Sequence, residues 1–166
     1  FADYVIKQFS DRDALSEFVL IPTNNHLELV KEIDKCNIIY PNSTEFTLLL
    51  NNLDRYTGIM FHGLFWGKWQ TPILEKIPSR VKVLWYFWGG EIYSRADMFT
   101  ANLAPKTKLL YNIRRILKRN NIDSSWEIPS HLFKKVDYFS TSIKEEYDYV
   151  KQYTGASFEH LWYTCY

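Results

Sequence analysis

Short apolar runs alternate with stretches whose apolar positions recur every three or four residues, the pattern of β-strands and amphipathic helices taken in turn. Phe18 to Ile21 predicts a strand closed by Pro22, and Leu27, Leu29, Val30 and Ile33 predict a short helix. Asn37 to Tyr40 predicts the next strand, stopped by Pro41. A helix over Thr44 to Asn52 follows, with Asn42 or Ser43 as its cap and Phe46, Leu49, Leu50 and Leu53 on one face. Two further runs, Ile59 to Phe61 and Val81 to Trp88, end in turn-forming or polar residues, His62-Gly63 and Gly89-Gly90-Glu91, with a helix over Trp69 to Lys76 between them. Ser94 to Pro105 predicts a loop or broken helix, Lys106 to Asn120 a helix and His131 to Val136 a shorter one. Asp137 to Thr141 predicts a strand, and Ile143 to Tyr153 a helix opened by a Ser142/Glu145 capping box and ended by Gly155. Phe158 to Tyr166 is again strand-like. Strand and helix in alternation specify right-handed βα units, hence the α/β class, with a Rossmann-like parallel sheet flanked by helices.

The 166 residues suffice for one domain with a substantial core, and a hydrophobic content of 46% excludes disorder as the main state. Lys+Arg of 20 against Asp+Glu of 19 leaves a formal net charge of +1, which argues against a nucleic-acid binder with a generally basic surface. Cys36 and Cys165 lie far apart without metal-ligand spacing, so the expectation is a reducing compartment with neither zinc nor a disulfide scaffold. No apolar stretch approaches the roughly 18 to 20 residues that span a bilayer, and the expectation is a soluble or peripheral protein. The chain begins within a helical pattern and stops within a strand-like run, which suggests a piece of a longer protein.

Ligands of open α/β sheets bind beyond the carboxyl ends of the strands, where His62 and Glu91 are expected. A neutral imidazole accepts a proton near pH 7, and a carboxylate does so directly or orients the imidazole. Gly89-Gly90 permits a sharp turn and close approach of a ligand to the backbone, with Tyr93 just beyond. Neither a dinucleotide-binding glycine fingerprint nor a phosphate-binding P-loop is present. No carboxylate falls between Asp97 and Asp123, whereas Lys106, Lys108, Arg114, Arg115, Lys118 and Arg119 gather on a helix whose Leu109, Leu110, Ile113, Ile116 and Leu117 form an apolar stripe. Such a helix suits an anionic lipid surface or a diphosphate, or simply a solvated cationic face.

Phe61-His62-Gly63-Leu64-Phe65, Trp88-Gly89-Gly90-Glu91-Ile92-Tyr93 and Arg114-Arg115 together resemble glycosyltransferase family 56, the bacterial 4-acetamido-4,6-dideoxygalactosyltransferases, in which FHGxF, WGxDLY and RRL-like motifs are similar and occur in this order. The likeness is good from about Gly58 to Arg119, weaker through Asp137 to Tyr149 and thin before residue 57. Glu91 stands where that pattern has Asp, and Asn120 to Ser130 has the form of an insertion. The resemblance implies the acceptor-side, N-terminal Rossmann-like domain of a GT-B enzyme, spanning residues 1–166, with a first strand and a C-terminal nucleotide-sugar domain lying outside the chain. It further implies transfer of an amino-deoxysugar such as N-acetylfucosamine from a dTDP-sugar to a polyprenyl-diphosphate-linked glycan, without a metal, at the cytoplasmic face of the bacterial inner membrane. His62 and Glu91 would then activate the acceptor hydroxyl; Gly63, Trp88, Gly89, Gly90 and Tyr93 would shape the sugar site. Arg114, Arg115 and Lys118 would meet the diphosphate or an anionic membrane. The alternative is a non-catalytic Rossmann-like binding or interaction module with a basic docking helix.

Overall fold

The computed structural model describes residues 16–22, 31, 33–64, 67–89, 104–118 and 128–162. The chain divides into two compact units, Phe1–Asn52 and Leu53–Tyr166. In the first, β1 (Val19–Leu20) and β2 (Asn37–Ile38) pair in parallel, Val19 beside Asn37 and Leu20 beside Ile38. Both are shorter than their apolar runs, because Pro22 and Pro41 remove donors just beyond them. Helix α1 (Thr44–Asn51) starts at Ser43, whose side chain accepts a hydrogen bond from the Phe46 N–H at 3.0 Å. Of the two candidate caps, Ser43 therefore takes the role, while Asn42 adopts a left-handed turn conformation at φ 66°.

The second unit carries a four-stranded, all-parallel sheet of β3 (Gly58–His62), β4 (Lys82–Tyr86), β5 (Tyr138–Thr141) and β6 (Glu159–Trp162), side by side in chain order. The α/β class and the parallel sheet expected from the alternation are present. Helix α2 (Gly67–Lys76) joins β3 to β4, helix α3 (Pro105–Lys118) follows β4, and helix α4 (Lys144–Thr154) joins β5 to β6. The shorter helix expected over His131 to Val136 is a 3-10 helix over Ser130–Lys135; Pro129 precedes it, and Leu132 and Phe133 are buried. One expectation is corrected. The Ser142/Glu145 capping box does not form at α4. Its cap position is Ile143, without a side-chain cap bond, and Thr141 Oγ1 instead accepts from the Ile143 N–H at 3.3 Å while bonding the Glu146 carboxylate. Gly155 closes α4 at φ 64°, as the pattern predicts.

Because every strand advances in one direction and parallel crossovers are right-handed, α2 and α4 lie on the same face of the sheet. That face is the core. Trp85 stacks on Phe133 at 5.5 Å between ring centres, and the fully buried Phe139 meets Trp85, Phe87 and Phe158 at 5.0 to 5.2 Å. Tyr147 of α4 donates its hydroxyl to the Phe158 carbonyl at 3.1 Å and tethers that helix to the entry of β6. The opposite face carries Met60, Leu84, Tyr138 and Leu161, all partly or well exposed, with Met60 at 45%.

Candidate functional site

The register places His62 beside Tyr86, and Tyr86 beside Ser140. Partners in a parallel ladder point to the same side, so an imidazole, a phenol and a hydroxyl form one row across three strands at their carboxyl ends. The row belongs to the face opposite the aromatic core. Tyr86 and Ser140 are buried, whereas His62 retains solvent access. The exposed Trp88, two residues past Tyr86, completes the cluster: its ring lies 5.1 Å from Tyr86 and 6.5 Å from His62, and His62 lies 5.5 Å from Tyr86.

Two glycines shape the turns that release the chain at this edge. Gly63 and Gly89 sit at φ 85° and 84°, a region in which a Cβ would crowd the backbone. The Gly63 N–H donates to the Tyr86 carbonyl at 2.9 Å, binding the tip of β3 to the tip of β4. The Gly63 carbonyl accepts from Nε2 of Gln70 at 2.8 Å. Gln70 is 2% exposed and comes from α2, so the helix that follows β3 reaches back to fix the turn after His62.

The protein atoms packed around His62 disfavour its charged form and lower its pKa from the ordinary 6.5. At pH 7 the ring is therefore neutral and able to accept a proton. With a hydrophobic ring beside it and solvent in front, it can serve a hydroxyl-bearing ligand as hydrogen-bond acceptor or general base. The order β3-β4-β5-β6 contains no reversal, so the crevice that a change of strand order opens in doubly wound sheets does not fall between any two of these strands. The site rests on the sheet edge itself.

Of the residues singled out in the sequence, His62, Gly63, Trp88 and Gly89 come together at this edge. Gly90, Glu91 and Tyr93 lie outside the described residues. Arg114, Arg115 and Lys118 lie on α3, with their side chains outside the described ones. Tyr86, Ser140 and Gln70 do not stand out along the chain. Tyr86 is one more apolar position of its run and Ser140 part of a strand; only the pairing of β4 with β3 and β5 aligns them with His62. Gln70 had a weak signal as a polar residue on the inner face of a helix one turn beyond a glycine. Among the described residues, no group of three or more His, Cys, Asp or Glu is placed to hold a metal ion. Comparison with protein-family models, with curated proteins and with solved structures finds no match.

Proposed function

We propose that this edge of the sheet takes part in glycosyl transfer, with the chain forming the acceptor-side half of a GT-B glycosyltransferase. The observation that carries the reading is His62: a solvent-accessible imidazole kept neutral by its surroundings, at a strand end and flanked by the exposed ring of Trp88. The sequence resemblance of FHGLF and WGGEIY to glycosyltransferase family 56 falls on the same two strand ends.

In this reading an acceptor hydroxyl gives its proton to the unprotonated nitrogen of His62 as its oxygen forms a bond to the anomeric carbon of the donor sugar. The bond from that carbon to the diphosphate breaks, and the nucleoside diphosphate departs with the electron pair. The apolar side of a sugar ring suits the indole of Trp88, whose exposed face offers stacking area beside the base. The resemblance would give Glu91 the role of orienting His62 or of acting as the base itself, and Gly63, Trp88, Gly89, Gly90 and Tyr93 that of shaping the sugar site. The donor would be a dTDP-sugar such as dTDP-N-acetylfucosamine and the acceptor a polyprenyl-diphosphate-linked glycan. The donor would be held mostly by a C-terminal domain following this chain. The reaction as written calls on no metal.

The test is transfer measured with His62→Ala in a protein that includes the nucleotide-binding half. Loss of about 10²- to 10⁴-fold in turnover with the fold retained supports the reading, and an unchanged rate overturns it. This chain alone, given a dTDP-sugar and the lipid-linked acceptor, should transfer nothing; transfer by the chain alone would refute the division between halves.

A further inference from the structure

A second group of rings lies at the far side of the same carboxyl rim, on the core face of the sheet. Strand β6 pairs with β5 so that His160 stands beside Phe139 and Trp162 beside Thr141. His160 stacks on Tyr147 of α4, with ring centres 4.4 Å apart and planes 6° from parallel, and Trp162 lies 4.2 Å from His160. The rings therefore run in series from the helix to the strand end. The inner two are fixed by backbone carbonyls: the Tyr147 hydroxyl donates to Phe158 at 3.1 Å, and His160 Nε2 lies 3.3 Å from the Thr141 oxygen. A carbonyl only accepts, so Nε2 carries the proton, and in the neutral imidazole Nδ1 is left as an acceptor. Trp162 ends the series at 61% exposure, too open to be a core residue.

An indole held from beneath and open to water loses little freedom when a ligand covers it. One such ring falls far short of the roughly 800 Å² per partner that a stable protein interface buries, but it matches the apolar face of a single sugar. Charge narrows the choice further. Glu145 and Glu146 open α4 and Glu159 opens β6, so the surroundings repel a phosphate-rich ligand. A ligand with an apolar ring face and hydroxyl donors, but no phosphate, fits the ring and the Nδ1 acceptor together. We propose that the Tyr147–His160–Trp162 stack is a glycan subsite, with a sugar ring lying on Trp162 and a sugar hydroxyl donating to His160. The choice of a glycan rests on the glycosyl-transfer reading of the His62 edge. Strands β3 and β6 are three strand spacings apart, roughly 14 Å, so the sugar on Trp162 is a different unit of the acceptor from the one at His62.

The experiment is titration of the purified chain with triacetylchitotriose, a soluble neutral oligosaccharide, with no donor present. Proton–nitrogen NMR follows the indole N–H signals of the 6 tryptophans, and the signal that Trp162→Ala removes identifies Trp162. That signal should shift saturably as the sugar is added. Affinity read by saturation transfer from protein to sugar should fall about tenfold in Trp162→Ala with the circular dichroism spectrum unchanged, and by less in Trp162→Tyr, which keeps a stacking face. No shift of the Trp162 signal, or an affinity that Trp162→Ala leaves unchanged, would overturn the proposal. So would a shift of that signal by dTDP but not by the oligosaccharide, since the ring would then stack a nucleobase. The titration requires no turnover: failure here leaves the role of His62 standing, and an unchanged transfer rate in His62→Ala leaves the subsite standing.

Discussion

The two ends of the four-stranded sheet are built on opposite principles. At the amino ends of β4 and β5 the strands are tied by charge: Lys82 Nζ lies 2.6 Å from Asp137 Oδ1, and the other Asp137 oxygen accepts from the Val83 N–H at 2.9 Å. Nearby, Lys135 reaches the carbonyls of Glu75 and Ile77, and Arg80 the carbonyl of Asp54. At the carboxyl ends the corresponding positions hold an imidazole, the buried ring of Tyr86, the exposed ring of Trp88 and two glycines in left-handed turns, with the Gly63 N–H bonded to the Tyr86 carbonyl. One end is tied by charged side chains; the other gathers an imidazole and two aromatic rings around two glycine turns. The charged end is expected to matter chiefly for the fold, and the aromatic end for the proposed chemistry.

The comparison is tested first where the fold is densest. Phe139→Ala removes a fully buried ring that touches four other aromatic rings and should cost about 3–5 kcal/mol in chemical denaturation. A loss below about 1 kcal/mol would mean that the aromatic face is not the main core. The carboxyl end should respond in the reverse manner: His62→Gln should leave the unfolding midpoint nearly unchanged while removing ligand-dependent function, and a large loss of stability would reassign the ring to structure.

At the amino end, Asp137→Ala should cost about 1–3 kcal/mol, because it strands the partly buried Val83 N–H. Lys82→Ala, which removes only the exposed partner, should cost no more than about 1 kcal/mol. Equal losses from the two changes would show that the ion pair, and not the backbone bond, holds this end together.

The smallest expected effect is the dependence on pH. The folded-state pKa of His62 lies below its ordinary 6.5, so between those two values the unfolded chain binds more protons than the folded one. This contribution to stability is fully present above pH 6.5 and is lost as pH falls toward the lowered value. Activity that depends on the neutral ring should fall on the same acid side and stay level from pH 7 upward. A pH profile unaltered by His62→Gln would remove His62 from both accounts.

Much of this architecture was legible along the chain because its determinants are local. The alternation of apolar runs and helical stripes specified parallel βα units, Pro22 and Pro41 marked strand limits, Ser43 and Gly155 marked helix ends, and His62 and Trp88 could be placed at strand tips. Each of these follows from the stereochemistry of a few neighbouring residues. Where the local pattern failed, a distant partner had overridden it: Thr141, held in β5, replaces Ser142 at the head of α4 by accepting from the Ile143 N–H.

The sequence by itself determined which elements form and which residues stand at their ends, since propensity, capping and turn geometry act over a single turn or strand. Only the tertiary structure decided that His62, Tyr86 and Ser140 share a row, that Gln70 reaches back to the Gly63 carbonyl, and that the core occupies one face of the sheet while the row occupies the other. The reason is register. His62 and Ser140 are 78 positions apart, and a shift of one residue in either strand pairing would send one of them to the opposite face. The pairing is selected by the packing of Trp85, Phe133, Phe139 and Phe158 as a set, on the side of the sheet away from His62.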